Sequence, residues 1–157
     1  MKIIGIENLN DVFSIFHDGG IAAHEVEGEN LVLKIEIKYL AERININYRY
    51  FRLTLENVKE LNFIPWLDDL DKKEMVIKDV EKIFTSELEI LSAEIGGELI
   101  KVACNQPLPN LGYCGGFLNL KASAALVSDE GGKLYSLNEL GALCTEYWDE
   151  WANKNKA

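Results

Sequence analysis

The chain has 157 residues, of which 26 are acidic and 16 are basic, so its formal net charge is −10 at neutral pH. Apolar residues make up 48% of the chain and aromatic residues 10%, a composition that supports a hydrophobic core and argues against disorder. A field this negative repels phosphate backbones and anionic membrane surfaces, and it attracts cationic molecules. Nucleic-acid and membrane binding are therefore disfavoured, and a basic protein partner is favoured.

A single domain over residues 1–157 is expected, because the length suits one domain and no low-complexity linker interrupts it. The segment from Met1 to Asn8 becomes polar too soon for a signal peptide, and no run approaches the ~20 apolar residues of a membrane helix. Cys104, Cys114 and Cys144 are odd in number and lack paired C-x-x-C spacing. These absences predict a cytoplasmic protein with reduced thiols.

The first elements are a helix and a hairpin. Apolar residues at helical spacing between Leu9 and Phe16 predict a two-turn helix with Asn8 as its N-cap. A turn at residues 27–30 then introduces an alternating strand from Leu31 to Tyr39. The next strand pattern changes phase at Tyr50, which predicts a bulge or a break at that point.

The second half of the chain contains further helix, hairpin and strand patterns. Residues 75–84 fit a helical stripe better than a strand, residues 88–104 form a hairpin pattern around Gly96-Gly97, and residues 116–127 form the longest strand candidate. Ser136 and Glu139 form a capping box ahead of an apolar stripe, which predicts an amphipathic C-terminal helix.

This order of elements predicts an α+β fold rather than alternating βαβ units. We expect a mainly antiparallel sheet of about six or seven strands, with a short N-terminal helix and the amphipathic C-terminal helix packed on it. On that helix, Trp148 and Trp151 both lie on the apolar stripe, and we expect both to anchor it to the sheet.

A metal site is the first chemical possibility to weigh. His17, Asp18 and His24 are two imidazoles and a carboxylate, a set that can hold a divalent cation. However, His17 falls in the last turn of the predicted helix, Asp18 begins a glycine turn, and His24 falls within a strand pattern. With no third spaced ligand, the sequence predicts no metal and no cofactor.

Cys114 is the second possibility, since it lies in a loop from Asn105 to Gly116 that is long for a connection. A nucleophilic thiol needs a neighbouring base, and the chain contains only two histidines. The alternative is a thiol packed against Tyr113 in a proline-stiffened crossover. Loop length alone does not decide between these interpretations.

The sharpest charge feature is an acidic cluster that follows an aromatic residue. Residues 51–100 carry 12 acidic and 6 basic residues, and the cluster consists of Asp68, Asp69, Asp71 and Glu74, just after Trp66. The spacing does not fit a calcium loop. An aromatic anchor beside steering charges is typical of a protein interface, whereas the alternative is a solvated acidic turn beside a core tryptophan.

The chain also resembles a known group of proteins. A short N-terminal helix that ends in Phe16-His17-Asp18-Gly19-Gly20-Ile21, then antiparallel strands and a closing helix, is similar to small bacterial immunity proteins of toxin–immunity systems, including contact-dependent inhibition. The acidic balance is also similar to many of them. The resemblance covers the order of elements over most of the chain, and it transfers no contact residues. It implies a non-catalytic protein that blocks a toxin domain, commonly a nuclease, in the producing cell.

The sequence therefore predicts a cytoplasmic, non-enzymatic protein that neutralises a basic protein partner, with partner-binding residues Trp66, Asp68, Asp69, Asp71 and Glu74. Two other interpretations stay open at this point. One is a small metal- or thiol-dependent enzyme, or a ligand-binding domain, that uses His17, Asp18, His24 or Cys114. The other is a subunit of a homo-oligomer with no separate activity.

Overall fold

The computed structural model describes residues 1–67 and 75–155. The four helices in this part of the chain are α1 (Ile6–Ile15), α2 (Lys38–Ala41), α3 (Val80–Ile83) and α4 (Leu137–Lys154). The strands are β1 (Ile3–Ile4), β2 (Gly20–Glu27), β3 (Asn30–Glu36), β4 (Tyr50–Glu56), β5 (Glu60–Leu67), β6 (Leu88–Gly96), β7 (Leu99–Asn105), β8 (Tyr113–Lys121), β9 (Ala124–Ser128) and β10 (Leu134–Tyr135).

All ten strands belong to one antiparallel sheet, which confirms the predicted α+β fold class. The strand order is β1-β9-β4-β3-β2-β6-β7-β8-β5, and β10 also pairs with β9. The sheet has more strands than the six or seven expected. Two of the additional strands, β1 and β10, are only two residues long, which is too short for an alternating pattern to show in the sequence.

The sheet has a narrow joint between β2 and β6. These strands pair only at Gly20 with Glu89 and at Ile21 with Leu88. The backbone ladder extends one step further, because the Asp18 amide donates to the Ile90 carbonyl at 2.7 Å and the Ile90 amide donates to the Gly19 carbonyl at 2.8 Å. Past this joint, β2 and β6 run in opposite directions without further pairing to each other.

The core lies on one face of the sheet, where alternate side chains of neighbouring strands meet α1. Leu33 and Leu53 are fully buried on adjacent strands, and Val12 and Phe13 of α1 are also fully buried. Burial of a side chain of this size stabilises the fold by about 1.5–3 kcal/mol. The buried apolar residues from both sides of the β2–β6 joint form a single cluster. Side-chain packing therefore connects the two parts of the sheet, which share only a short backbone ladder.

The N-terminal elements differ from prediction in two details. The predicted N-cap is wrong, since α1 begins two residues before Asn8, with Gly5 as its N-cap at φ 96°. Asn8 instead donates its side-chain amide to the Ile4 carbonyl at 2.9 Å. The predicted strand up to Tyr39 is also too long, because the chain turns into α2 at Lys38. The phase change at Tyr50 is real, and it marks the start of β4 after a non-strand segment.

Two predictions in the second half are wrong in extent. Residues 75–84 contain only one helical turn, α3, whereas Ile77 forms an isolated antiparallel bridge with Phe63 of β5. Residues 116–127 are not one strand, because the chain leaves the sheet at Ala122-Ser123. The two parts then occupy distant positions, with β8 between β7 and β5 and β9 between β1 and β4.

The C-terminal helix begins as predicted. Ser136 is the N-cap of α4, its hydroxyl accepts from the Glu139 amide at 3.1 Å, and the Glu139 carboxylate accepts from the Ser136 amide at 3.0 Å. The helix packs mainly against α1 and α2, and its Leu140 is fully buried in the common core. In the described part of the chain, no helix combines the length and the apolar character needed to cross a membrane.

Candidate acidic binding site

The most distinctive surface feature lies on the outward face of the sheet, directly over the β2–β6 joint. A single row of directly opposite residues crosses five strands there: Glu36, Gly20, Glu89, Asn105 and Gly115. Residues directly opposite one another in antiparallel strands point to the same face. Two of the five residues in this row are glycines, and each glycine leaves a gap in the surface.

The gap at Gly20 is the floor of a cavity of about 580 Å³, which we call the acidic cavity. It is lined by Asp18, Gly20, Glu36, Glu87, Glu89, Asn105, Gln106, Pro107 and Cys114. All four carboxylates are exposed, and the described lining residues include no lysine, arginine or histidine. Four like charges around one opening produce a locally focused negative potential.

Glycine at the floor of the acidic cavity gives room to a neighbouring carboxylate. A β-carbon on Gly20 would collide with the carboxylate of Glu87, so the absent side chain lets Glu87 lean over the joint. Asp18 at the rim has a left-handed backbone with φ 68°, a conformation that aspartate tolerates better than most residues. The Asp18 amide is fixed by its bond to Ile90, which holds the carboxylate beside the cavity.

The prediction that Cys114 lies in a loop is wrong, since it is the second residue of β8, and the loop before it is held closed by a buried glutamine. Gln106 is 5% exposed, and its amide nitrogen donates to the carbonyls of Leu108 and Tyr113, both at 2.9 Å. Its amide oxygen accepts from the Leu108 amide. Since β7 and β8 are neighbours in the sheet, this loop is a closed hairpin connection and not a crossover.

Trp66 lies on the same outward face, one strand beyond the cavity. A β-carbon on Gly115 would lie 2.8 Å from Cζ3 of Trp66, so the indole covers the second glycine gap of the row. The Trp66 ring also meets Phe117 edge-on, with 5.3 Å between ring centroids. Both aromatic residues are partly exposed. The site therefore has a partly exposed aromatic pair at one end and four carboxylates at the other.

Of the predicted partner-binding residues, only Trp66 belongs to the part of the chain that the structure describes. Trp66 is on the outward face, whereas Asp68, Asp69, Asp71 and Glu74 lie outside the described residues. The carboxylates that do line the cavity were missed as a group, because they are scattered along the chain from position 18 to position 89. Only the strand register brings them together, and no local spacing in the sequence signals it.

The two histidines contact different parts of the molecule. The Nδ1 atom of His17 lies 2.8 Å from the Ser14 carbonyl, which only accepts, so that nitrogen carries the proton. The His17 ring stacks on Trp148, with centroids 5.6 Å apart. His24 Nε2 lies 3.0 Å from the Glu81 carboxylate, and its ring stacks on Phe84. His17 therefore connects the end of α1 to α4, and His24 connects β2 to α3 and Phe84.

From the alternative catalytic set, Asp18 and Cys114 both line the acidic cavity, and the Nε2 atom of His17 lies 3.9 Å from the Asp18 carboxylate. A nucleophilic thiol is activated by a neighbouring base or cation, and the described lining residues include no histidine, lysine or arginine for that role. Within residues 1–67 and 75–155, no group of three His, Cys, Asp or Glu side chains is arranged to hold a metal ion. This geometry favours binding of an organic cation such as a lysine or arginine side chain.

The chain matches no protein-family model, and no curated protein or solved structure is significantly similar to it. A function for this protein therefore rests on the shape and charge of the site.

Proposed function

We propose that this protein is an acidic binding protein of the cytoplasm that neutralises a basic protein partner, and more specifically that it is an immunity protein that blocks a toxin domain. The observation that carries the proposal is the acidic cavity, with four carboxylates and no basic side chain among its described lining residues, beside the Trp66–Phe117 pair. Aromatic residues next to complementary charge are typical of the centres of protein interfaces.

The cavity suits a lysine or arginine side chain of the partner. A guanidinium group forms paired hydrogen bonds with carboxylates, and Glu36 and Glu89 lie on either side of the glycine gap. The indole of Trp66 offers an apolar surface for the neighbouring part of the partner. Binding in this way would cover a basic surface on the toxin, so the mechanism is steric occlusion of residues that contact an anionic substrate.

The test uses the protein encoded next to this chain in its source genome. We expect that protein to be basic on the bound surface, to arrest growth when expressed alone, and to be tolerated when this chain is coexpressed. The variant Glu36→Gln, Glu87→Gln, Glu89→Gln removes three charges from the cavity. We expect it to bind at least about tenfold more weakly, since charge-assisted contacts contribute about 1.5–3 kcal/mol each, and to lose protection.

The matched control removes the same number of charges elsewhere. Glu7, Glu94 and Asp149 are exposed, and the variant Glu7→Gln, Glu94→Gln, Asp149→Asn has the same net charge as the cavity variant. It should bind and protect nearly as well as the native chain. Equal losses in both variants would show that total charge matters and the cavity does not. Full protection by the cavity variant would contradict the proposal.

A second candidate is a thiol-dependent ligand-binding or enzymatic role, which the shared location of Asp18 and Cys114 favours. Cys114→Ser distinguishes it from the first. A protein interface of the proposed kind tolerates this substitution with little change in affinity, because the hydroxyl is close in size to the thiol. Loss of partner neutralisation in Cys114→Ser, with the fold intact, would support the thiol-dependent role.

A further inference from the structure

A second surface lies at the opposite end of β2 from the acidic cavity. Past the β2–β6 joint, residues 22–27 have β3 on one side and no strand on the other among the described residues. We call this stretch the free edge. Five of its six residues are exposed, and the sixth, His24, is half-buried against Phe84 of the α3 region.

The register of the β2–β3 hairpin identifies which backbone groups face outward. Gly28 and Glu29 form its two-residue turn, and Glu27 pairs with Asn30 across it. Residues that flank such a turn bond to each other, and the bonds then recur at every second residue. Glu25 and Glu27 therefore bond to β3, whereas the amides and carbonyls of His24 and Val26 point towards the free edge. Neither residue forms a backbone hydrogen bond elsewhere among the described residues.

The two faces beside the free edge have different chemistry. On one face lies a groove of about 220 Å³, and its apolar lining residues are Val26, Leu31, Val58, Leu61 and Val80. Val26 is 54% exposed at the mouth of this groove. On the other face, Glu25 and Glu27 are exposed. A strand added here would turn alternate side chains towards the apolar groove and towards the two glutamates.

We propose that the free edge binds an extended segment of a partner protein by strand addition, and that this segment alternates apolar with lysine or arginine residues. The backbone groups of His24 and Val26 provide the ladder, the groove receives the apolar side chains, and Glu25 and Glu27 pair with the basic ones. This surface is separate from the acidic cavity, so the inference does not depend on the proposed function.

A second copy of this chain fits the free edge poorly. Two β2 strands that paired edge to edge would bring the glutamates of both copies onto neighbouring strands, and like charges at cross-strand positions are destabilising. A basic segment instead meets both glutamates with opposite charge. Charge complementarity therefore selects the heterologous partner over self-association.

The test measures amide hydrogen exchange with a short peptide that alternates lysine and valine. In the protein alone, we expect fast exchange at His24 and Val26 and slow exchange at Glu25 and Glu27. Saturating peptide should slow exchange at His24 and Val26 by at least about tenfold, because these amides gain strand partners. The same peptide with glutamate in place of lysine should bind about tenfold more weakly, since two cross-strand ion pairs become repulsive.

Substitutions at Val26 give an independent check. In Val26→Pro the edge amide is removed while the pairing with β3 is kept, since proline is tolerated where an edge strand's amide faces outward. Val26→Thr is the matched control, because it retains both the amide and the branched shape. We expect the proline variant to bind the lysine–valine peptide at least about tenfold more weakly and the threonine variant to bind within about twofold of the native protein.

Three results would overturn the inference. The first is unchanged exchange at His24 and Val26 with millimolar peptide, which needs only the native protein and so holds even if the proline variant does not fold. The second is equal affinity for the lysine and glutamate peptides. The third is slow exchange at both amides without peptide in a protein that sediments as a dimer, which would assign the free edge to a second copy.

Discussion

At the residue scale, the fold controls several protons by burying the groups that carry them. Cys104 is fully buried on β7, and this burial raises the pKa of its thiol from 9.0 to about 12. Burial is also the main cause of the raised pKa of Tyr39 and of Tyr135, and the hydroxyl of Tyr135 donates to the Asp129 carboxylate at 2.7 Å. Each of these groups is held in its neutral form by the folded state.

These shifts predict that the protein becomes less stable at alkaline pH. A group whose pKa is raised by folding loses its proton first in the unfolded chain, so unfolding releases protons and is favoured as pH rises. For Cys104 the loss begins near pH 9 and continues until the pH passes about 12. The free energy of unfolding should fall between pH 8.5 and pH 10 by about 1 kcal/mol from this thiol alone.

Urea unfolding at both pH values checks this expectation by difference. Cys104→Ala should show a shallower fall with pH than the native protein, whatever its stability at pH 8.5. Cys114→Ala removes an exposed thiol and should keep the native slope. If Cys104→Ala and the native protein show the same slope, the thiol of Cys104 is not protected by folding in the way that its burial indicates.

At the scale of elements, α4 is held by one tryptophan more than by the other. Trp148 is partly buried, stacks on His17 and meets Tyr39 and Tyr147 within about 6 Å between ring centroids. Trp151 is 50% exposed, although its ring lies 5.9 Å from that of Trp148. The expectation that both tryptophans anchor α4 to the sheet is therefore wrong. Trp148 packs on His17 and on Tyr39 of α2, and Trp151 is half exposed because the apolar stripe of α4 continues past the surface that it covers.

The two tryptophans should differ in their contribution to stability. We expect Trp148→Ala to lower the free energy of unfolding by about 2 kcal/mol, less than the ~3–5 kcal/mol of a fully buried tryptophan. Trp151→Ala should cost about 0.5 kcal/mol, as most surface substitutions do. Urea unfolding of both variants measures the difference. Equal costs would mean that α4 is not seated on the His17–Tyr39 surface.

The sequence predicted local elements better than their neighbours in space. The capping box at Ser136 and the phase change at Tyr50 are set by adjacent residues, so both are readable from spacing alone. Residues 116–127 alternate without interruption, yet a bend at Ala122-Ser123 sends β8 and β9 to distant positions. The acidic cavity forms only when β2 pairs with β3 and with β6. That pairing depends on the three-dimensional strand order, which no local sequence pattern encodes.

At the scale of the whole molecule, charge and architecture act together at the β2–β6 joint. The two parts of the sheet meet at only a few residue pairs, and glycine at position 20 keeps the outward surface open there. Carboxylates from both parts then surround the opening. With an overall charge of −10, the molecule surrounds this local feature with a long-range negative field, which is the arrangement that accelerates encounter with a basic partner.

This arrangement predicts different effects on the two rate constants of partner binding. Salt screens exposed charges beyond ~8 Å at physiological ionic strength, so the association rate with the proposed basic partner should fall steeply as salt rises, while dissociation changes much less. Asp68→Asn, Asp69→Asn, Asp71→Asn should reproduce this by slowing association alone. The cavity variant of Glu36, Glu87 and Glu89 should also speed dissociation, because it removes contacts in the complex. Stopped-flow and surface-based kinetics at low and physiological salt separate the two constants. An association rate indifferent to salt and to both variants would remove long-range attraction from the mechanism and leave shape alone to select the partner.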